Sequence, residues 1–364
     1  MTRLIEELPT PAVLVDLDVL ERNIARQAER ARTAGVRLRP HAKTHKCPEI
    51  ARMQLAAGAA GISLAKTSEA ELFADAGFKD IFIAYPVVGL GKAERLLALS
   101  ERLRLAAGCD SLEGATRLSE AFRAAGRKLD VLLKIDCGYH RVGILPENAW
   151  PIARRIAELP GIRLRGLFTH AGHAYQAEIP EAVARIGRQE GEILATTAGA
   201  LSQEGIPIAE VSVGSTPTAR HAMRVSGVTE CRPGNYVFHD GSQVALGTCS
   251  LDDCAMTILA TVVSVPAPER AVVDAGSKTL SQDSLRPHPN GHGLILGSET
   301  RLVSLTEEHG VARVEAGDRF HVGDRVRILP NHACVVSNLH DRLYGVRAGR
   351  VETEFRIAAR GKVE

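Results

Sequence analysis

Short runs of apolar and β-branched residues alternate, through most of the chain, with longer stretches in which Ala, Leu, Arg and Glu recur at helical period. The runs at 36–41, 61–66, 81–86, 103–107, 131–136, 164–170, 210–214 and 235–239 predict eight strands. Helical spacing predicts helices between most of them, at 48–57, 67–76, 93–101 and 181–201. Pro48 at a first helical turn and Gly58 just past a last one fit the usual punctuation. Strands with interposed helices in this number predict an α/β fold, a (β/α)8 barrel of the TIM type. A further run, 12–17, has no place in such a barrel.

Past about residue 245 the pattern changes. Runs at 258–265, 270–274, 311–314, 325–329, 343–347 and 353–357 read as strands joined by Gly- and Pro-containing turns, with little helix. The expected organisation is a barrel over 1–245 and an all-β domain over 246–364, which the 12–17 strand is free to join.

In a barrel of this kind functional groups gather at the C-terminal ends of the strands. Lys43 and His45, Lys66, Tyr85, Arg141, His170 and His173, and the segment from Gly214 to Thr218 all fall at or just past such ends. A lysine mounted there can form a Schiff base if its surroundings suit, although most lysines so placed are surface charges. Val213-Gly214-Ser215-Thr216-Pro217-Thr218 suits a phosphate, because glycine lets the backbone approach and the hydroxyls donate; an ordinary βα loop would look similar. Arg232-Pro233-Gly234-Asn235-Tyr236 could complete the same cup or be a simple turn. In Pro330-Asn331-His332-Ala333-Cys334, an extended backbone would point His332 and Cys334 the same way, towards one metal. Such a borderline-soft pair favours Zn²⁺, and two or three ligands with open positions suggest a metal that binds substrate. Thr169-His170-Ala171-Gly172-His173-Ala174-Tyr175 supplies candidate bases in His170, His173 and Tyr175, with Tyr175 also placed to touch a cofactor.

Composition narrows the class. The 364 residues carry 45 basic and 43 acidic side chains, a formal charge of +2, with no long basic run. No nucleic-acid or anionic-membrane partner is expected. The N-terminus lacks an apolar signal core, and no run of about 18 apolar residues occurs. Seven cysteines, spread singly, read as reduced thiols and predict a cytoplasmic protein.

Together, Thr10-Pro11-Ala12, Arg39-Pro40-His41-Ala42-Lys43-Thr44-His45-Lys46, Gly214-Ser215-Thr216-Pro217-Thr218, Arg232-Pro233-Gly234-Asn235-Tyr236 and Pro330-Asn331-His332-Ala333-Cys334 resemble the D-threonine aldolase and D-serine dehydratase family. These are fold-type III, alanine-racemase-like enzymes that use pyridoxal 5'-phosphate (PLP). The resemblance spans nearly the whole chain in order. It implies a barrel followed by a β-domain, and a homodimer with active sites near the subunit boundary. It implies Lys43 as the covalent anchor of PLP and Arg141 near its ring. Gly214, Ser215 and Thr216, with Gly234, Asn235 and Tyr236, would hold the phosphate. His332 and Cys334 would hold a divalent metal, Zn²⁺ or Mn²⁺, open to a β-hydroxy D-amino acid. The implied activity is that of a lyase, with cleavage of D-threonine to glycine and acetaldehyde as the first reading. Dehydration of D-serine or a 3-hydroxyaspartate to a keto acid and ammonia is the alternative, and a PLP carrier a more distant one. The His332-Ala333-Cys334 pair resembles the dehydratases more than those aldolases with His-x-Asp, whereas segments 248–266 and 274–280 resemble bacterial proteins classed with the aldolases.

Overall fold

The computed structural model describes residues 3–285 and 290–364. The chain enters through β1 (Ala12–Asp16), and Asp16 caps α1 (Leu17–Thr33) by accepting from Val19 N at 3.0 Å. Eight parallel strands follow: β2 (Arg37–Leu38), β3 (Ile62–Leu64), β4 (Asp80–Pro86), β5 (Arg104–Cys109), β6 (Leu129–Lys134), β7 (Ile162–Phe168), β8 (Glu210–Val213) and β9 (Glu230–Cys231). They hydrogen-bond in the order β2-β9-β8-β7-β6-β5-β4-β3. A parallel bridge between His41 and Ser63 closes the ring where β2 meets β3, with Ser63 N donating to Pro40 O at 2.8 Å. The intervening helices are α2 (Pro48–Ala56), α3 (Thr67–Asp75), α4 (Leu90–Ser100), α5 (Leu112–Ala124), α6 (Ala149–Ala157), α7 (Pro180–Gln203) and α8 (Thr216–Ala222). Their apolar faces pack on the strands in one continuous core that includes Phe73, Phe122, Leu133 and Leu194. Strands such as β6, buried at every position, read as apolar runs because both of their faces are covered.

The expected eighth strand is displaced. Residues 235–239 are not a strand: Asn235–Val237 form a turn of 3-10 helix, and β9 lies earlier, at Glu230–Cys231. Tyr236, Val237 and Phe238 are apolar because they leave the barrel and enter the core of the second sheet. Periodicity cannot tell such a short buried run from a strand. The 103–107 run proves to be the longer β5.

The second sheet comprises β10 (Met256–Ala267), β11 (Arg270–Val273), β12 (Gly293–Ile295), β13 (Arg301–Leu305), β14 (Gly310–Arg313), β15 (Arg325–Pro330), β16 (Arg342–Arg347) and β17 (Arg350–Arg356), together with β1. Its order is β11-β14-β13-β12-β15-β10-β1-β16-β17, and a β10–β11 pairing closes the first six of these into a small barrel. β1 runs antiparallel to β10 and parallel to β16. β12 and β13 were not foreseen; they are short, and β13 buries only Leu302 and Leu305. The expected extended run through 332–334 is also corrected. Only His332 has strand-like dihedrals, and Ala333–Leu339 is a helix with Cys334 in its first turn.

Candidate active site

A cavity of about 700 Å³ opens at the C-terminal ends of the barrel strands, and connections between strands of the second sheet form part of its wall. It gathers Lys43, Arg141, His170, Tyr175, Gly214, Ser215, Thr216, Gly234, Asn235, His332 and Cys334. Two of the expected site residues stand apart from its lining. His173 lies behind Tyr139, their ring centroids 6.4 Å apart. The Tyr236 hydroxyl, buried in the second core, accepts from Gln54 Nε2 at 2.9 Å.

Lys43 sits on a 3-10 turn, Ala42–Thr44, immediately past β2. Its flanking residues are packed differently: His45 is fully buried against Gln54 at 3.2 Å, and Lys46 is buried against Glu69 at 3.2 Å. Those anchors fix the turn, and Lys43 lines the cavity together with His41 and Thr44. His170 donates from Nδ1 to Gly214 O at 2.9 Å, because a carbonyl can only accept, so Nε2 carries the lone pair. Burial, then the charges of Lys43 and Lys134, hold His170 neutral, well below the usual histidine range.

The glycines form a cradle. Gly214 has φ +145°, and a Cβ there would meet Arg232 N at 2.7 Å. A Cβ on Gly234 would meet His41 O and Thr44 Oγ1, each at 2.8 Å. The Thr216 hydroxyl is buried beside them without a hydrogen-bond partner. Bare backbone and an unused hydroxyl suit a bound oxyanion, so the residues present fit a phosphate-bearing cofactor. Glu190, on α7 and fully buried, holds the loop: Oε1 accepts from Gly214 N at 3.0 Å and Ala171 N at 3.2 Å, and Oε2 accepts from Thr218 Oγ1 at 2.7 Å. With its own proton committed to Glu190, Thr218 accepts from Ser215 Oγ at 2.8 Å.

Two further basic side chains line the cavity. Arg232 donates from Nη1 to Ser212 Oγ and from Nη2 to Thr169 O, both at 2.5 Å, and its buried Nε has no partner. Lys134 lies 4.5 Å from the Phe168 ring centroid, and burial followed by repulsion from Arg232 lowers its pKa to about 7. Arg141 stands over Tyr139 at 4.9 Å.

On the opposite wall, His332 Nδ1 lies 2.6 Å from Asp283 Oδ2, which leaves Nε2 for Cys334 or a metal. Burial works against the imidazolium, but Asp283 and Cys334 outweigh it and push the His332 pKa up to about 11. Burial likewise opposes the Cys334 thiolate, yet contact with His332 lowers its pKa. Thr44 Oγ1 is 3.2 Å from Cys334 Sγ, which puts this pair beside the Lys43 turn. An imidazole and an acidified thiol in contact are a fitting donor pair for a borderline-soft divalent ion. Among the described residues no group of three or more His, Cys, Asp or Glu is arranged to hold a metal, so the pair offers two protein ligands.

A model of the alanine racemase N-terminal domain matches residues 15–241, and one described as a putative serine dehydratase domain matches residues 255–346. The chain belongs to the alanine racemase N-terminal domain family. Within that family it is 38% identical over 377 residues to D-threo-3-hydroxyaspartate dehydratase of Delftia sp. (strain HT23), covering 96% of this chain and 97% of that one. It is 36% identical over 358 residues to D-threonine aldolase of Arthrobacter sp, covering 97% and 93%. The crystal structure of D-threonine aldolase from Filomicrobium marinum superimposes with a TM-score of 0.92 at 34% identity, over 100% of this chain and 99% of that one. A cysteine-to-alanine variant of D-threo-3-hydroxyaspartate dehydratase, solved in the metal-free form, gives a TM-score of 0.90 at 35% identity over 97% and 98%. Lyases of this alanine-racemase-like family that act on D-amino acids depend on PLP, and the metal-free form implies that these enzymes bind a metal.

Sequence reasoning missed Lys134, Glu190, Asp240 and Asp283, and gave Arg232 no role of its own within the 232–236 motif. Lys134 was hidden by placing the end of its strand at Asp136; with β6 ending at Lys134, it is a strand-end lysine like Lys43. Arg232 stands directly after β9, which the displaced eighth strand obscured. Glu190 lies mid-helix, where nothing local marks it. Asp240 accepts from Ala333 N at 2.9 Å and Asn235 Nδ2 at 2.5 Å, joining residues 93 positions apart.

Proposed function

We propose that this chain is a PLP- and divalent-metal-dependent lyase of β-hydroxy D-amino acids. The observation that carries the reading is the meeting in one cavity of a strand-end lysine, an empty-handed oxyanion cradle and a His/Cys pair. Lys43 would be the covalent anchor, and Gly214, Ser215, Thr216, Gly234 and Asn235 would hold the phosphate, with Arg141 and Arg232 lining the same cavity. When bound, PLP supplies an electron sink for charge developing at Cα. His332 and Cys334 would hold the metal, which would supply Lewis acidity for the substrate β-hydroxyl.

Aldol cleavage is the first reading. His170 Nε2, neutral and bearing a lone pair, takes the β-hydroxyl proton, and the Cα–Cβ bond breaks. The whole-chain superposition on an aldolase supports it. Dehydration is the second reading, favoured by the thiol ligand Cys334 and by Tyr175. Burial, followed by Cys334 and Asp240, pushes the Tyr175 pKa far up, so its hydroxyl keeps a proton to give to departing hydroxide while Lys43 takes the Cα proton. Incubating holoenzyme and Zn²⁺ or Mn²⁺ with D-threonine, and separately with D-serine or a D-3-hydroxyaspartate, tests both. Glycine plus an aldehyde supports aldol cleavage, and a keto acid plus ammonia supports dehydration. Neither product from any of these substrates would overturn the lyase assignment.

A homodimer is part of this proposal. Val142 and Tyr85, on the cavity wall, and Val88 and Leu90 just beyond, are exposed apolar residues that a second copy could cover. Sedimentation at the mass of one chain would count against it. A cytoplasmic location also belongs here, supported by seven cysteines that are all free. Among the described residues no helix is long and apolar enough to cross a membrane.

A further inference from the structure

Away from the cavity lining, two cysteines face each other across a closed turn. Leu251–Asp253 form a 3-10 turn capped at both ends: Ser250 N donates to Asp253 Oδ2 at 3.0 Å, Ser250 Oγ lies 3.1 Å from the same oxygen, and Asp253 N donates to Ser250 O at 3.2 Å. Cys249 and Cys254 are the residues immediately outside this box, so closing it brings their side chains into contact. The turn is docked on α1, where Arg26 Nη1 pairs with Asp253 Oδ1 at 2.9 Å and Asn23 Nδ2 donates to Asp253 O at 2.8 Å. The turn is thus held mainly by bonds other than those of the thiols, to which Cys254 Sγ adds a long contact with Ser250 O at 3.8 Å. His239, in the left-handed region at φ +50°, reaches Cys249 with its side chain, and its buried Nδ1 has no partner. Both cysteines are half-buried, unlike Cys47, Cys109 and Cys231, which are sealed in the cores.

We propose that Cys249 and Cys254 form a peroxide-reactive dithiol that closes reversibly to an intramolecular disulfide. Contact with Cys254 and then with His239 lowers the Cys249 pKa and raises that of Cys254, so Cys249 is the thiolate that attacks. Its sulfur bonds to one oxygen of hydrogen peroxide, the O–O bond breaks, and the departing hydroxide takes up a proton to leave as water. Cys249 is then a sulfenic acid. The Cys254 sulfur displaces the sulfenic oxygen, the S–S bond forms, and a second water leaves with the Cys254 proton. Two thiols lose two electrons in all, and one peroxide becomes two waters. A thiol reductant reverses the change by disulfide exchange.

The test is to expose the folded holoenzyme to hydrogen peroxide, block remaining thiols with iodoacetamide and map the peptides without reduction. The proposal expects the peptide containing Cys249 and Cys254 to lose two hydrogens and both alkylation sites, with full recovery after dithiothreitol. The Cys254→Ser variant should instead accumulate dimedone-reactive sulfenic acid at Cys249. Two results would overturn it: both cysteines still alkylated while other thiols are oxidised, or Cys249 passing to sulfinic acid in the wild type without any cross-link. Circular dichroism of the variant guards against misfolding, and the wild-type mapping stands without it.

Discussion

The two walls of the cavity are built on different principles. On the barrel side, Lys43, His170, Gly214 and Arg232 stand at or just past strand ends, and their supports, Glu190 among them, belong to the barrel's own helices and strands. On the other side, His332 and Cys334 sit at a helix start outside the barrel, and that start is tied to the barrel loops through Asp240 and Thr44. The first wall is positioned by backbone ladders that any barrel of this sequence must form. The second depends on how the two sheets meet. The proposed cofactor cradle is thus the half tied into the barrel itself, and the proposed metal pair the half held by fewer ties.

The largest expected effect breaks the first wall. Lys43→Ala should lower turnover by roughly a thousandfold or more, since it removes the proposed anchor and, in the dehydration reading, the acceptor of the Cα proton. Absorbance of the purified variant near ~410–430 nm should vanish, that being the band a PLP–lysine bond gives; a retained band would exclude Lys43 as anchor. The second wall should break without disturbing the first. Cys334→Ala, or chelation, should cost on the order of a hundredfold in turnover while that absorbance stays, because a ligand and not the anchor is lost. Loss of cofactor in this variant would contradict the separation of the walls.

Glu190→Ala probes the support behind the cradle. Two buried N–H groups and the Thr218 hydroxyl lose their acceptor, a penalty of about 1–3 kcal/mol, so PLP affinity should fall roughly 5- to 150-fold in a fluorescence titration. Metal affinity, measured in the same variant, should not change. The smallest effect concerns Lys134. Burial, then Arg232, lowers its folded pKa to about 7 from an ordinary 10.5, so above pH 7 the unfolded chain binds a proton that the folded site has released. Stability of the cofactor-free protein should therefore rise with pH between 7 and 10.5, by about 2 kcal/mol from pH 7 to 9, compared with Lys134→Met. Parallel denaturation curves for the two proteins would show that the lysine is not held neutral.

How far the site was legible follows from where each residue lies. Lys43, Gly214 to Thr216 and His170 could be read because strand ends can be located from apolar runs, and the barrel places such ends together. His332 and Cys334 were found for a local reason that does not hold, since the backbone there is helical; they come together because His332 precedes the first turn that carries Cys334. His173 and Tyr236 satisfied the same strand-end and motif criteria, yet their side chains stand apart from the cavity lining. Adjacency in sequence could not show that the chain turns between His170 and His173, through the 3-10 segment Gly172–Gln176.

The sequence by itself determined the alternation of strands and helices, the change to β-structure in the later part of the chain, and the lysine past the first barrel strand. Those features are written in hydrophobic period and punctuation, which act over a few residues. Only the tertiary structure decided that residues 235–239 leave the barrel, that Glu190 holds the Gly214 loop from mid-helix, and that Asp240 joins Asn235 to the segment bearing His332 and Cys334. Each of these is a buried polar or apolar group that must find its partner far along the chain. The partner's identity is set by packing between sheets, which no local pattern records.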